Sequence, residues 1–370
     1  MTSKKQRVVI VGGGVIGSAV AYYLCKAGVS CTILERDTIG AHASSVAAGL
    51  ITPLSEAKNP GPLLDLKMKS LSMYEDVACA LREESGVDIG YASVPVLRLA
   101  GDEQEAKLLQ DTVKWQLAND LKVDWLSAKE ARKREPELAA KIAGGILTEF
   151  ETQVDTQPVT IAFARAATRM GCVIKQGVSV TSIDVTTSGI TLQTTTGVET
   201  CDKVVLATGS WVDLFLGVTK KKLPVKPIKG EIIRAYMPKH APRNVLFHGK
   251  YYIAPKPDGT VVIGATEADH GFDEKPTVGG IEEVFRNTIA FYPQAAHATI
   301  AYVSAGLRPV SADTMPILGP VEKTGRVVAA VGHGRSGLIL APITGRMMAD
   351  YVRNGNITKE MKAFSADRFL

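Results

Sequence analysis

The chain has 370 residues, 45% of them apolar, and a formal net charge of +5 from 43 basic and 38 acidic side chains. That length accommodates two domains with substantial cores, and so small an excess of charge excludes a protein built to coat a polyanion such as a nucleic acid. The five cysteines, Cys25, Cys31, Cys79, Cys172 and Cys201, are scattered with no CxxC pair, which suggests neither a zinc site nor a disulfide framework and fits a reducing cytoplasm.

Basic residues precede an apolar run at the N-terminus, an arrangement that can mimic a signal peptide. The same residues read better as a first strand. Val8-Val9-Ile10-Val11 leads into Gly12-Gly13-Gly14-Val15-Ile16-Gly17, then a helical stretch, then a second apolar run, Cys31-Thr32-Ile33-Leu34, that ends at Glu35. Gly12, Gly14 and Gly17 have the GxGxxG spacing, and the acid follows at the ~20-residue distance of a dinucleotide fingerprint. Each residue type has a physical reason. Gly12 permits the tight turn, Gly14 lets a pyrophosphate approach the backbone, and Gly17 lets helix and strand pack closely, with the helix N-terminus facing the anion. Glu35 can accept hydrogen bonds from both ribose hydroxyls. The ligand is therefore an ADP-containing dinucleotide, FAD or NAD. NADP is disfavoured, because a carboxylate at Glu35 repels a 2′-phosphate despite the neighbouring Arg36. The plainer alternative is a glycine turn that binds nothing.

Beyond this unit, 53–62 is a loop rich in Pro and Gly, and 63–85 has a helical pattern. A strand is expected at 91–100, a helix at 103–119 and a short helix at 128–135, ended by Pro136. Another helix at 158–170 leads to strands at 172–176, 179–185, 190–195 and 203–209. Lys220-Lys221-Lys222 reads as a solvated loop. The stretch 224–305 is rich in β-branched residues, with hairpin punctuation at Pro257-Asp258-Gly259. A strand at 326–331 and the turn Gly332-His333-Gly334-Arg335-Ser336-Gly337 precede a long apolar helix at 338–351. His333 and Arg335 interrupt the most apolar region, so no run reaches the ~18 residues of a membrane span.

Nucleotide-type β-α units thus lie at the start, middle and end, with β-rich stretches between them. The expected architecture is α/β (α+β, two domains): a discontinuous Rossmann-like FAD domain from 1–85, 147–222 and 306–370, and an inserted antiparallel β-sheet substrate domain from 86–146 and 223–305. An NAD dehydrogenase usually keeps its Rossmann unit contiguous, so the discontinuity favours a flavoprotein.

The segments GGGVIGSAVAYYL, ASSVAAGL (43–50), VVLATGSWV (204–212), PVKPIKGE (224–231), HGKYYIAP (248–255), GLRPVSADTMPILG (306–319) and GHGRSGLILAPITG (332–345) together resemble the FAD-dependent D-amino-acid oxidase superfamily. Within it, the likeness is to the glycine oxidase family of thiamine biosynthesis. It covers the whole chain with the motifs in order. The resemblance implies oxidation of glycine, sarcosine or a small D-amino acid. Hydride passes to the flavin, the imine hydrolyses to a 2-oxo acid, and oxygen is reduced to hydrogen peroxide. The alternatives are a dehydrogenase that uses another electron acceptor, and a flavin-binding scaffold without turnover.

By the same resemblance Arg308 binds the substrate carboxylate, for which a planar guanidinium is suited. Tyr252 donates to the same carboxylate, and Arg335 is a second substrate-side arginine. Tyr251 competes with Tyr252 for the inward position, since strand neighbours face opposite ways. FAD contacts are expected from Gly12, Gly14, Val15, Ile16, Gly17, Glu35, Arg36, Ala43, Ser44, Ala48, Gly49, Leu50 and Val180, and from His333, Gly334, Arg335, Ser336, Gly337, Leu338 and Ile339. His333 has no proton-transfer role in this scheme. FAD is expected to be non-covalent: Val46 stands where some relatives carry a flavin-linked histidine, and no cysteine lies beyond Cys201. Glu267 and Lys250 replace a methionine and a histidine near the pocket. Glu267 either selects an amine there or pairs with Lys250 in solvent. The family also implies a homo-oligomer, with a tetramer as the expected form. The partners are the amine substrate and oxygen, with no nucleic acid and no membrane span.

Overall fold

A computed structural model describes residues 6–57, 59–219, 223–237 and 239–369. The Lys220–Lys222 run lies outside them. A six-stranded sheet runs in the order Ile317–Pro320, Val327–Val331, Lys203–Leu206, Val8–Val11, Cys31–Leu34, Val173–Lys175. Every neighbouring pair is parallel except Ile317–Pro320 with Val327–Val331. These strands are almost continuously apolar because both faces are covered. Val8 and Ile10 pack toward the helices Val15–Lys26, Thr156–Arg169 and Gly337–Asn354. Val9 and Val11 pack toward Val180, Ile183, Ile190 and Leu192 of a three-stranded sheet on the other side.

The second layer is an eight-stranded sheet in the order Thr299–Ser311, Val225–Tyr236, Thr260–Gly264, Tyr251–Pro255, Val245–His248, Val96–Ala100, Gly144–Thr148, Asp124–Ser127. It is antiparallel except where Val245–His248 runs parallel to Val96–Ala100. That pair joins the two inserted stretches. Side chains alternate across the sheet with period two. Ile233, Ile253 and Ile263 face the helix Val278–Phe291, whereas Ile232, Tyr252 and Val262 face Val46, Ala48 and Leu50 of the first layer. Between those faces lies the cleft described below. The expected boundaries at 146/147 and 305/306 fall inside strands Gly144–Thr148 and Thr299–Ser311, both of which belong whole to this sheet.

Other departures from expectation have local causes. The helix expected over 63–85 is two helices, Pro62–Leu71 and Tyr74–Ser85. At the break, the Ser72 hydroxyl donates to the Lys69 carbonyl at 2.8 Å, as short polar side chains do when they compete with helical bonding. The strand expected over 91–100 divides into Ala92–Ser93 and Val96–Ala100 around Pro95, which has no N–H to give a ladder. The β-rich stretch hides the helix Val278–Phe291. Its Gly279-Gly280 start is a poor helix signal, but Thr277 caps it, accepting from the Gly280 N–H at 3.1 Å. Finally, three cysteines that are distant in sequence converge: the Cys31 sulfur lies 3.6 Å from those of both Cys25 and Cys172, and all three are free thiols in the core.

Candidate active site

One cleft of about 400 Å³ runs between the two layers. At its nucleotide end, the turn after Val8–Val11 leads into the helix Val15–Lys26. Gly12 sits at φ 107°, and a Cβ there would lie 2.5 Å from the Ala207 carbonyl oxygen. A Cβ on Gly17 would lie 2.0 Å from the Gly12 oxygen. Gly17 does not itself line the cleft. It seats the helix against the strand, so its place among the expected cofactor contacts is indirect. Gly14 is open by comparison, its nearest obstacle being the Ser44 hydroxyl at 3.2 Å. That hydroxyl also accepts from the Val15 N–H at 3.0 Å. The first turn of the helix holds no acid and has no cap from its own N-cap residue, so its remaining N–H groups and positive dipole end suit an anion.

Glu35 is buried and tied down. Its carboxylate accepts from the Gly13 N–H at 2.6 Å and from the Asp37 N–H at 2.8 Å. Arg36 pairs with Asp37 at 2.9 Å, and its guanidinium lies 4.0 Å from the centre of the Trp211 ring. Val180 lines the same end. Along the middle, Ala43 and Ser44 belong to the short helix Ala43–Val46, which approaches Gly306 so closely that a Cβ there would lie 3.1 Å from Val46. Ala48, Gly49 and Leu50 continue the wall. Gly49, at φ 79°, has no room for a side chain, because a Cβ would lie 2.0 Å from the Val154 oxygen.

At the far end, His333, Gly334, Arg335, Ser336, Gly337, Leu338 and Ile339 wrap the cleft as a single turn that runs into the helix Gly337–Asn354. The Tyr74 hydroxyl donates to the Leu338 carbonyl and fixes this turn. His333 is 3% exposed, and burial pushes its pKa down to about 3, so its ring is neutral. Its Nε2 lies within hydrogen-bond distance of the Thr344 hydroxyl, at 3.2 Å. A second helix N-terminus without an acid therefore opens into the same space. Two such termini, and a glycine cradle that any Cβ would fill, fit a long dinucleotide whose phosphates and electron-rich ring carry negative charge.

The substrate layer contributes side chains rather than backbone. Arg308 lies on Thr299–Ser311 and donates to the Thr266 carbonyl at 2.9 Å. Its register partner is Ile228, with Gly230 opposite Gly306. A Cβ on Gly230 would lie 2.3 Å from the guanidinium carbon, so only glycine leaves the plane of Arg308 a seat. Glu231 holds Thr266 in turn. It accepts from the Thr266 hydroxyl at 3.1 Å and from the Thr277 N–H at 2.5 Å. Lys229 bonds Asp273 at 3.0 Å and the Lys275 carbonyl at 2.9 Å. The Lys-Gly-Glu motif thus anchors a loop, seats a guanidinium and fixes the carbonyl it bonds.

Tyr252 faces the cleft opposite Gly264, where a Cβ would collide with its hydroxyl. Burial pushes its pKa up, opposed by the nearby charges of Arg308 and Arg335. Tyr251 points the other way, its hydroxyl 2.7 Å from Glu283. Lys250 also pairs with Glu283, at 3.0 Å. It does not meet Glu267, which pairs with Arg335 at 3.0 Å. Arg335 holds Glu56 too, at 2.5 Å. Burial works against the charge on Arg335, but the two glutamates outweigh it and its pKa is raised. Arg308 is pulled down by burial and by Arg335, yet a guanidinium remains charged at neutral pH.

Every catalytic and cofactor residue expected from the sequence therefore lines this cleft except Gly17, whereas Glu267 and Lys250, expected near the pocket, do not line it. Gly230, Thr266, Glu56 and Lys67 were not foreseen. Gly230 sat within a recognised motif but without a role. Glu56 and Lys67 lie in a loop and a helix with no spacing signal.

A family model described as FAD dependent oxidoreductase (DAO) matches residues 7–351. A glycine oxidase of Bacillus licheniformis is 32% identical over 99% of this chain and 98% of its own length. A bifunctional ThiO/ThiG protein of Trichormus variabilis is 31% identical over 98% of this chain, which spans 55% of that longer protein. The crystal structure of glycine oxidase from Geobacillus kaustophilus superposes with a TM-score of 0.95 at 32% identity, covering 99% of this chain and 100% of that one.

Proposed function

The chain belongs to the DAO family of FAD-dependent oxidoreductases, and from that premise we propose that it oxidises glycine, sarcosine or small D-amino acids with oxygen as electron acceptor. FAD, once bound, would supply the redox chemistry, as the acceptor for a hydride from the substrate α-carbon and the source of two electrons for oxygen. The substrate gives up that hydride and an N–H proton, water hydrolyses the resulting imine to a 2-oxo acid and ammonia or amine, and oxygen leaves as hydrogen peroxide.

The observation that carries this reading is Arg308. Its guanidinium is held flat over Gly230 by the Thr266 carbonyl and faces the cleft without a carboxylate partner among the described residues. A carboxylate that docks there takes two parallel hydrogen bonds and fixes the α-carbon. Tyr252 offers a hydroxyl donor on the same wall. Arg335 is neutralised by Glu56 and Glu267, so its role is to shape the pocket and hold those acids near an incoming amine. Among titratable groups on this wall, His333 is buried and neutral. Gly12, Gly14, Val15, Ile16, Glu35, Arg36, Ala43, Ser44, Ala48, Gly49 and Leu50, with Val180 and His333–Ile339, would hold FAD without a covalent bond.

The test is anaerobic titration of the purified yellow protein with a small amine panel, followed by air. Bleaching by glycine, sarcosine or D-alanine, then peroxide release with stoichiometric oxygen uptake, is the expected result. Bleaching without oxygen uptake would instead identify a dehydrogenase, and no bleaching by any amine would remove the reading. None of the described helices is long and apolar enough to cross a membrane. We also propose that the protein is cytoplasmic and a homo-oligomer, the oligomer supported by Ile300 and Tyr302 standing exposed on the edge strand of the eight-stranded sheet and Tyr236 on the strand beside it. Light scattering that gives a monomer mass would remove the oligomer.

A further inference from the structure

Four cationic side chains line the cleft: Arg36, Lys67, Arg308 and Arg335. Arg36 is paired with Asp37, and Arg335 with Glu56 and Glu267. Arg308 and Lys67 have no carboxylate partner among the described residues. Lys67 lies on the helix Pro62–Leu71 and is only 8% exposed. It makes no hydrogen bond to a described residue. The charges it feels are those of Glu56, Arg335 and Glu151, and burial itself disfavours its ammonium. Glu56 and Arg335 also act on Arg308, which puts Lys67 at the substrate end of the cleft rather than at its nucleotide end. An amphipathic helix can turn Lys67 to solvent or fill the place with an apolar residue. Burying an ammonium without a partner costs several kcal/mol unless something else supplies the negative charge.

The cations of the site are not equally paired. Arg335 is matched by Glu56 and Glu267, whereas Arg308 and Lys67 bond no carboxylate among the described residues. An amino acid with one carboxylate can pair Arg308 alone. An amino acid with a second carboxylate can pair both, with one acid group on Arg308 and the other on Lys67. We infer that Lys67 forms a second anion subsite, and that this enzyme takes an amino acid bearing two carboxylates in preference to its monocarboxylate counterpart. The inference rests on the amine-oxidase reading above and sharpens its substrate class.

The holoenzyme's visible flavin spectrum can report binding of simple acids. Acetate is titrated against oxalate, malonate, succinate and glutarate, a series that scans the spacing between the two cations. The expected result is at least tenfold tighter binding of one diacid than of acetate. Lys67→Met should reduce that ratio to below about twofold, and Lys67→Arg should restore it. In turnover, kcat/KM for D-aspartate or D-glutamate should exceed that for D-alanine in the wild type and fall below it in Lys67→Met. FAD content and melting temperature establish that the variants are folded. A wild type without diacid preference, or a preference that survives Lys67→Met, overturns the subsite while leaving Arg308 as the carboxylate site. Failure of every acid, acetate included, to perturb the flavin overturns the Arg308 site and the subsite with it.

Discussion

At the nucleotide end of the cleft, recognition is built from what is missing. Gly12 and Gly17 leave no space for a Cβ, and the ligand meets backbone N–H groups and a helix dipole. At the substrate end it is built from side chains: Arg308, Tyr252, Arg335 and Lys67 arrive from four elements. The first arrangement lies within one β-α-β unit and keeps its meaning when read as a string. The second exists only once both sheets are formed. A phosphate chain that many proteins share is met by a local device. A substrate that must be told from its relatives is met by a composite one, which a few substitutions can retune.

Variants at the two ends should therefore fail differently. Arg308→Ala removes one partner of a buried charge pair and should cost ~2–5 kcal/mol in kcat/KM, roughly 30- to several thousand-fold. FAD should remain bound at one per chain, and a loss below threefold would break the assignment. Gly230→Ala should reproduce part of this loss by displacing the guanidinium, again with FAD retained. At the other end, Gly12→Ala forces a side chain into a φ of 107° against the Ala207 carbonyl. It should cost roughly 2–4 kcal/mol of stability and strip the flavin, as protein-normalised absorbance would show. A yellow, stable Gly12→Ala protein would end the contrast.

Glu151 tests the substrate end through pH. It is fully buried, and its oxygens accept from the Leu54 N–H at 2.8 Å and the Ser55 hydroxyl at 2.9 Å, next to Glu56. Burial raises its pKa from 4.5 to about 7. A carboxyl with a raised folded-state pKa binds its proton more tightly when folded. Its stabilising contribution is complete below the unfolded value, near 4.5, and is lost as pH rises through about 7. This amounts to up to about 3 kcal/mol. Thermal melts across that window should show wild type losing stability and Glu151→Gln losing much less. Parallel curves would remove Glu151 as the cause. The smallest effect is expected from Tyr252→Phe, which deletes one donor and should cost about 1 kcal/mol, near fivefold in kcat/KM. The corresponding Tyr251→Phe, on the other face, should leave kcat/KM within twofold. Equal losses at both positions would show that the strand's two faces had been assigned wrongly.

Much of the framework was legible in the chain. A sheet with strands from the start, middle and end of the chain followed from where the apolar strands and glycine turns recur, and the run Val8–Gly17 with Glu35 defined its own geometry. Legibility failed where a signal was weak or shared. The helix Val278–Phe291 begins Val-Gly-Gly and is stabilised by Thr277 and by Glu231, which is distant in sequence. Pro62–Ser85 hid its break because both halves are amphipathic. Pairing was less legible still. Lys250 and Glu267 are close in sequence and opposite in charge, yet each bonds another residue, because the hairpin puts them on different sides of the sheet.

What the residues determined alone is what local sterics and periodicity determine: a dinucleotide turn, strands buried on both faces, and an arginine and a tyrosine of the right type to meet an amino acid. Tertiary structure decided which tyrosine turns inward, that Arg335 is neutralised while Arg308 and Lys67 are not, and that three distant thiols share one pocket of core. Charge balance inside a cleft depends on distances between elements far apart in the chain, and those distances exist only after the two sheets have closed on each other.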